Sequence, residues 1–140
     1  MPGVYTTGTP PTTPAVQAAV EELRRTFWDR AVDATADGEG GVFVTIRDLE
    51  IGDIYVQAST WLGFHVSYLH PATDVYPHYV RPDLTRRDGR PLGPCLSATT
   101  WIFENTPALQ VSRRSTRWDP RRDTPALKAL KVLAWLRESV

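Results

Sequence analysis

The chain has a single cysteine, Cys95, in 140 residues. One thiol excludes an internal disulfide framework and any multi-cysteine zinc site, so the core has to hold by packing alone. Lysine is almost absent: Lys128 and Lys131 stand against fourteen arginines. No apolar run approaches the ~18 residues of a membrane-spanning helix. The start, Met1-Pro-Gly-Val-Tyr-Thr-Thr-Gly, lacks the basic and apolar segments of a secretory signal. There is also no Gly-rich phosphate loop, no paired-carboxylate site of recognisable spacing and no serine nucleophile elbow, so those enzyme classes find no support. The expectation is a soluble cytoplasmic domain with neither metal nor cofactor.

Net charge is zero, yet the charges are segregated. Residues 1–80 carry ten acids against four arginines. Residues 81–122 carry nine arginines against Asp83, Asp88, Glu104 and Asp119, a net +5. Such a basic stretch reads as a docking face for an acidic partner or as a nucleic-acid patch. The plainer reading is that these guanidinium groups pair with the acidic half on folding.

Along the chain, residues 1–12 are rich in Thr, Pro and Gly and read as a flexible lead-in to one domain over 13–140. Thr13-Pro14 supplies an N-cap and a first-turn proline, and Val16, Ala19, Val20, Leu23 and Phe27 form one apolar stripe, predicting a helix over 14–29. Residues 42–47, 54–58 and 64–68 read as strands, and their short connections favour an antiparallel meander. Five prolines from Pro71 to Pro94 remove ladder donors, leaving extended loop with at most one short edge strand. Residues 98–103 and 109–112 suit a further hairpin. Thr124-Pro125 repeats the capping signature, and Leu127, Leu130, Val132, Leu133, Trp135 and Leu136 supply an apolar face with Lys128, Lys131 and Arg137 outside. The predicted class is α+β: helix, antiparallel meander of about four strands, irregular thiol-bearing segment, helix.

Tyr76-Pro77 with Pro82, then Gly89, Cys95-Leu96 and Trp118-Asp119-Pro120 follow one another in that order. In this the chain, over residues 14–138, resembles the ubiquitin-conjugating enzyme fold, in particular divergent bacterial members found with ubiquitin-like modifiers. The family's His-Pro-Asn before the cysteine is absent. The interval from Cys95 to Trp118 is about twice the usual and leaves room for an extra hairpin, while residues 110–123 resemble the Ser-Arg-rich segment of some bacterial relatives.

The resemblance implies that Cys95 carries a ubiquitin-like modifier as a thioester, accepted from an activating enzyme and passed to a target amine. A sulfur nucleophile needs exposure and positioning, which Gly/Pro-rich backbone allows, although a lone cysteine also serves as an inert buried residue. Without the family's asparagine, oxyanion support would fall to backbone N–H groups near Leu96-Ser97, or to the Ser97 or Asn105 side chains. His78 is the nearest histidine and a candidate base; the plain alternative is an exposed turn residue. Arg86, Arg87 and Arg90 are candidates to favour the thiolate or grip the modifier's tail, with a solvated loop as the alternative. Arg113 and Arg114 are candidates for partner binding or for scaffolding with Asp123. A metal site from Cys95 with His65, His70 and His78 has spacings of 5, 8 and 17 that match no compact ligand pair. Two other functions stay open: a catalytically inactive module of the same fold that holds a modifier or activating enzyme, and a nucleic-acid-binding domain using the 81–122 arginines with Tyr79, Trp101 and Trp118 as stacking surfaces.

Overall fold

The computed structural model describes residues 11–138. Helix α1 spans Pro14–Thr26, with the Thr13 hydroxyl accepting from the Val16 N–H at 3.2 Å and Pro14 in the first turn. Both features satisfy or remove donors that a helix start leaves unpaired. Six strands follow: β1 (Val32–Ala36), β2 (Val42–Glu50), β3 (Ser59–Val66), β4 (His78–Val80), β5 (Leu96–Trp101) and β6 (Thr106–Val111). Helix α2 spans Pro125–Glu138, and the Thr124 hydroxyl caps it by accepting from the Leu127 N–H. The strands form one antiparallel sheet in the order β1-β2-β3-β4-β6-β5, so the first four are a meander and a β5–β6 hairpin extends it. The chain is thus α+β. No helix among the described residues is long and apolar enough to cross a membrane.

Cross-strand register decides which side chains share a face, because successive residues alternate. Val44, Phe64, His78, Val111 and Leu96 oppose one another across five strands, all buried. Both helices pack on that face through Val16, Val20 and Leu23 of α1 and Ala129, Val132, Leu133 and Leu136 of α2. Each such large aliphatic side chain, fully buried, contributes about 1.5–3 kcal/mol. Tyr55, itself fully buried, ties α2 to the sheet by donating its hydroxyl to the Leu136 carbonyl at 2.8 Å.

The next register row, Thr45, Gly63, Tyr79, Gln110 and Ser97, faces the other way. The tip of the β5–β6 hairpin folds back over it. Trp101 stacks on Tyr79 and Trp61 at 5.1 and 6.0 Å, and Phe103, in a single 3-10 turn (Phe103–Asn105), stacks on Phe43 at 5.1 Å. Gly63 is required beneath this tip, because a Cβ there would run into the Trp101 ring.

Several expectations change. Helix α1 ends at Thr26 rather than residue 29. The strand expected at 54–58 is an irregular segment, held by one bridge from Tyr55 to Arg86; the strand starts at Ser59 and runs through Gly63 to Val66. Strand β1 carried no signal strong enough to be expected. Strand β4 is interior, between β3 and β6, because its three residues lie between Pro77 and Pro82 and keep their own N–H donors. The α2 face is rotated: Leu127 and Leu130 are exposed, and Lys128 is buried with Ala126, Ala129, Val132, Leu133 and Leu136. Trp101 is 2 % exposed, so it offers no stacking surface. The lead-in falls largely outside the described residues; of 11–12, the Thr12 carbonyl accepts from the Gln17 amide.

Candidate functional site

Cys95 stands immediately before β5, partly exposed, where the irregular 81–94 segment reaches the sheet. Its carbonyl accepts from the Ser112 N–H at 2.9 Å, which places the thiol-bearing residue beside the start of the 112–117 segment. Arg113 and Arg114 follow directly. The structure therefore brings Cys95 and these two candidates to one end of the sheet, the end where β3 finishes at Val66 and β4 begins at His78.

Other candidates lie elsewhere. His78 is fully buried in the core row, its ring tilted against Phe64 at 5.1 Å, with no hydrogen-bond partner on either nitrogen. Burial, assisted by the nearby Lys128 charge and opposed by Asp74, pushes its pKa down to about 3, so the imidazole is neutral. Two strand spacings, roughly 10 Å, separate it from Leu96. A general base acts within hydrogen-bond reach, so His78 is a core residue here, neither an exposed turn histidine nor a base for Cys95. Asn105 lies beyond the far end of β5, about 20 Å of strand from Cys95. Ser97 is exposed on β5, two residues from Cys95, and its backbone pairs with Gln110.

Arg86, Arg87 and Arg90 belong to the opposite end of the sheet. The Arg87 N–H donates to the Ile54 carbonyl at 2.8 Å and the Val56 N–H to Thr85, fixing this loop against the segment that precedes β3. Arg86 grips Asp88 through two parallel bonds of 3.0 and 2.8 Å, and the Arg90 N–H also donates to Asp88. Among the described residues, the 81–122 arginines that do form ion pairs, Arg81, Arg86 and Arg122, take Asp83, Asp88 and Asp119 of the same stretch rather than the acidic half of the chain.

Around residues 113–117 the pattern differs. Asp74 accepts from the Ser115 N–H and hydroxyl at 2.8 and 2.9 Å, and Lys128 Nζ donates to both Asp74 oxygens and to Ser115 Oγ. Burial alone would raise the Asp74 pKa; the bonds from Ser115 and Lys128 outweigh it and hold the carboxyl below its ordinary range. Lys128 is only 6 % exposed, and its three donors are all taken. Separations of 41 and 54 residues gave this triad no local sequence signal.

Above it opens a cavity of about 380 Å³ lined by Arg113, Arg114, Arg117, Lys128, Lys131 and Asp123. The Arg113 guanidinium lies over the Trp135 ring at 5.0 Å and that of Arg114 over Tyr76 at 4.1 Å. Tyr76 also lines a second cavity of about 380 Å³, with Phe43, Tyr79 and Trp101. On its wall the His65 Nε2–H donates to Asp37 Oδ2 at 2.6 Å. Burial works to raise the Asp37 pKa, but the bonds from His65, Glu39 and Gly41 lower it overall. Cys95 lines neither cavity. Among the described residues no three His, Cys, Asp or Glu side chains are grouped to hold a metal ion. Trp118 is anchored rather than presented, its indole N–H donating to the Pro71 carbonyl at 2.7 Å.

No protein-family model matches the chain, and neither a curated protein nor a solved structure matches it.

Proposed function

We propose that the chain is a ubiquitin-conjugating-like carrier that holds a ubiquitin-like modifier as a thioester on Cys95. The observation that carries this reading is the partly exposed Cys95 at the end of an antiparallel sheet, beside Arg113 and Arg114. The order of α1, the strands β1 to β3, the Tyr76-Pro77 turn, β4, the thiol and α2 supports it. In the reaction the Cys95 sulfur attacks the modifier's C-terminal carbonyl on the activating enzyme. A new sulfur–carbon bond forms and the enzyme's own thiol leaves. A target amine then attacks, an amide forms, and Cys95 regains its proton as a thiol. Positioning supplies most of the rate in such a transfer.

A second reading, a module of the same fold that binds a modifier or activating enzyme without covalent chemistry, is favoured by one observation. No side chain among the described residues hydrogen-bonds the Cys95 sulfur, so no general base is assembled at the thiol. The test adds tagged protein and ATP to lysate of its source organism, followed on non-reducing gels. The carrier gives an ATP-dependent adduct that disappears with reductant, and Cys95→Ser replaces it with a reductant-stable oxyester or abolishes it. Absence of any adduct, with wild type and Cys95→Ser retaining the same partner equally, establishes the binding module instead.

A further inference from the structure

We propose that the cavity between residues 113–117 and α2 binds a small diphosphate-bearing ligand. The inference is independent of Cys95 chemistry. Five cations reach this cavity, and two carboxylates, Asp123 on its wall and Asp74 beneath it, oppose them, leaving three positive charges. Arg113, Arg114 and Arg117 have no carboxylate within ion-pair distance among the described residues. Lys131 reaches Asp123 only at 3.9 Å. A single carboxylate would neutralise one of these charges, whereas one phosphate brings up to ~2 and a diphosphate more.

Geometry agrees with the charge count. Two of the guanidinium groups lie on aromatic rings, Arg113 on Trp135 and Arg114 on Tyr76, which uses their faces and leaves their in-plane N–H donors free. Planar forks held in this way match phosphate oxygens bidentately. The segment that carries them is fixed from below, because Ser115 is bonded to Asp74 and to the buried Lys128. Thr116 adds a hydroxyl at the rim. A volume of about 380 Å³ suits a small molecule, and the cations converge on one concavity instead of tracking along a strand, which argues against a nucleic-acid backbone.

Titration calorimetry with inorganic pyrophosphate is the test, with orthophosphate, citrate and a single-stranded oligonucleotide as the other arms. Saturable one-to-one binding is expected, tighter for pyrophosphate than for orthophosphate or citrate. Arg114→Gln and Arg117→Gln should each weaken it roughly tenfold, as loss of a charge-assisted hydrogen bond does. Arg114→Lys should recover only part, since it restores charge without the fork. Arg87→Gln and Arg90→Gln should leave it unchanged. Near-UV circular dichroism checks that each variant is folded. The proposal is overturned if citrate binds as tightly as pyrophosphate, if the oligonucleotide binds more tightly, if no saturable binding occurs, or if Arg87→Gln and Arg90→Gln weaken it as much as Arg117→Gln.

Discussion

Arg81 and Arg86 each lie against an aspartate two residues further along the chain, whereas Arg113 and Arg114 have none at that spacing and Arg117 makes no ion pair with Asp119, which lies nearer Arg122 at 3.8 Å. In the first segment the fork of Arg81 takes both oxygens of Asp83 at 2.6 and 2.8 Å, and Arg86 takes Asp88 in the same way. In the second, the carboxylate that organises the segment comes from Asp74, far away in sequence, and it binds Ser115 and Lys128 instead of an arginine. Formal charge is similar in the two; available charge is not. An arginine is free to meet a ligand when no local acid engages it and a distant one fixes the backbone without consuming the guanidinium.

The sharpest way to break this contrast is at Asp74. Asp74→Asn leaves the Lys128 ammonium buried without its counter-charge, and breaking a buried pair from one side costs about 3–5 kcal/mol. Urea unfolding should show a loss at the low end of that range, since the Asp74 side chain keeps 21 % of its exposure. Adding Lys128→Met should recover part of the loss, because the orphaned charge is then gone as well. If Asp74→Asn and the double variant are both as stable as wild type, the triad does not hold the 113–117 segment.

That triad also marks where the sequence stops being readable. The α1 stripe, its cap, the Thr124-Pro125 start of α2 and the β5–β6 hairpin are local patterns, and the structure has them. Lys128 misled because periodicity alone placed it outside; a buried lysine follows from Asp74 waiting at the helix surface, which no window of sequence contains. Residues 54–58 misled in the opposite way. Their β-rich composition packs Tyr55 under α2, while the true strand runs through Gly63, a poor strand former that Trp101 needs empty. Of the candidate site, the closeness of Cys95 to Arg113 and Arg114 depends on β5 pairing with β6, and the distance of Arg86, Arg87 and Arg90 depends on their loop crossing to residues 54–57. The core position of His78 depends on register with Phe64 and Val111. These are long-range pairings, beyond composition and spacing.

Acid titration sharpens the same contrast with a smaller effect. The Asp74 carboxyl is held below the ordinary aspartate value of about 3.9 in the folded chain, so its ionised form contributes stability above that value. The contribution is lost as pH falls through the lower folded value, because the unfolded chain then binds the proton first. Asp37, Asp83 and Asp88 are lowered as well and remain in both proteins under comparison. Between wild type and Asp74→Asn, the stability gap should therefore be constant above about pH 4 and narrow below it. A gap that stays constant, or widens on acidification, would place the Asp74 proton affinity at its ordinary value or above.

The mildest variant is Asp88→Asn, which removes the carboxylate that Arg86 grips. Asp88 is exposed although the Arg86 side chain is largely covered, and surface pairs of this kind contribute little to stability, so the urea midpoint should stay close to wild type. Its value lies in what it does to binding. Arg86 loses its fork partner, yet its loop lacks the features that build the other site: among the described residues neither Arg87 nor Arg90 is held over an aromatic ring, and no buried lysine fixes the backbone beneath it. Calorimetry with pyrophosphate should show the same single saturable event as in wild type, with the same affinity. A second event of comparable affinity in Asp88→Asn would mean that unneutralised charge alone makes an anion site in this protein, and that the stacked arginines above the Asp74–Lys128–Ser115 triad have no special standing.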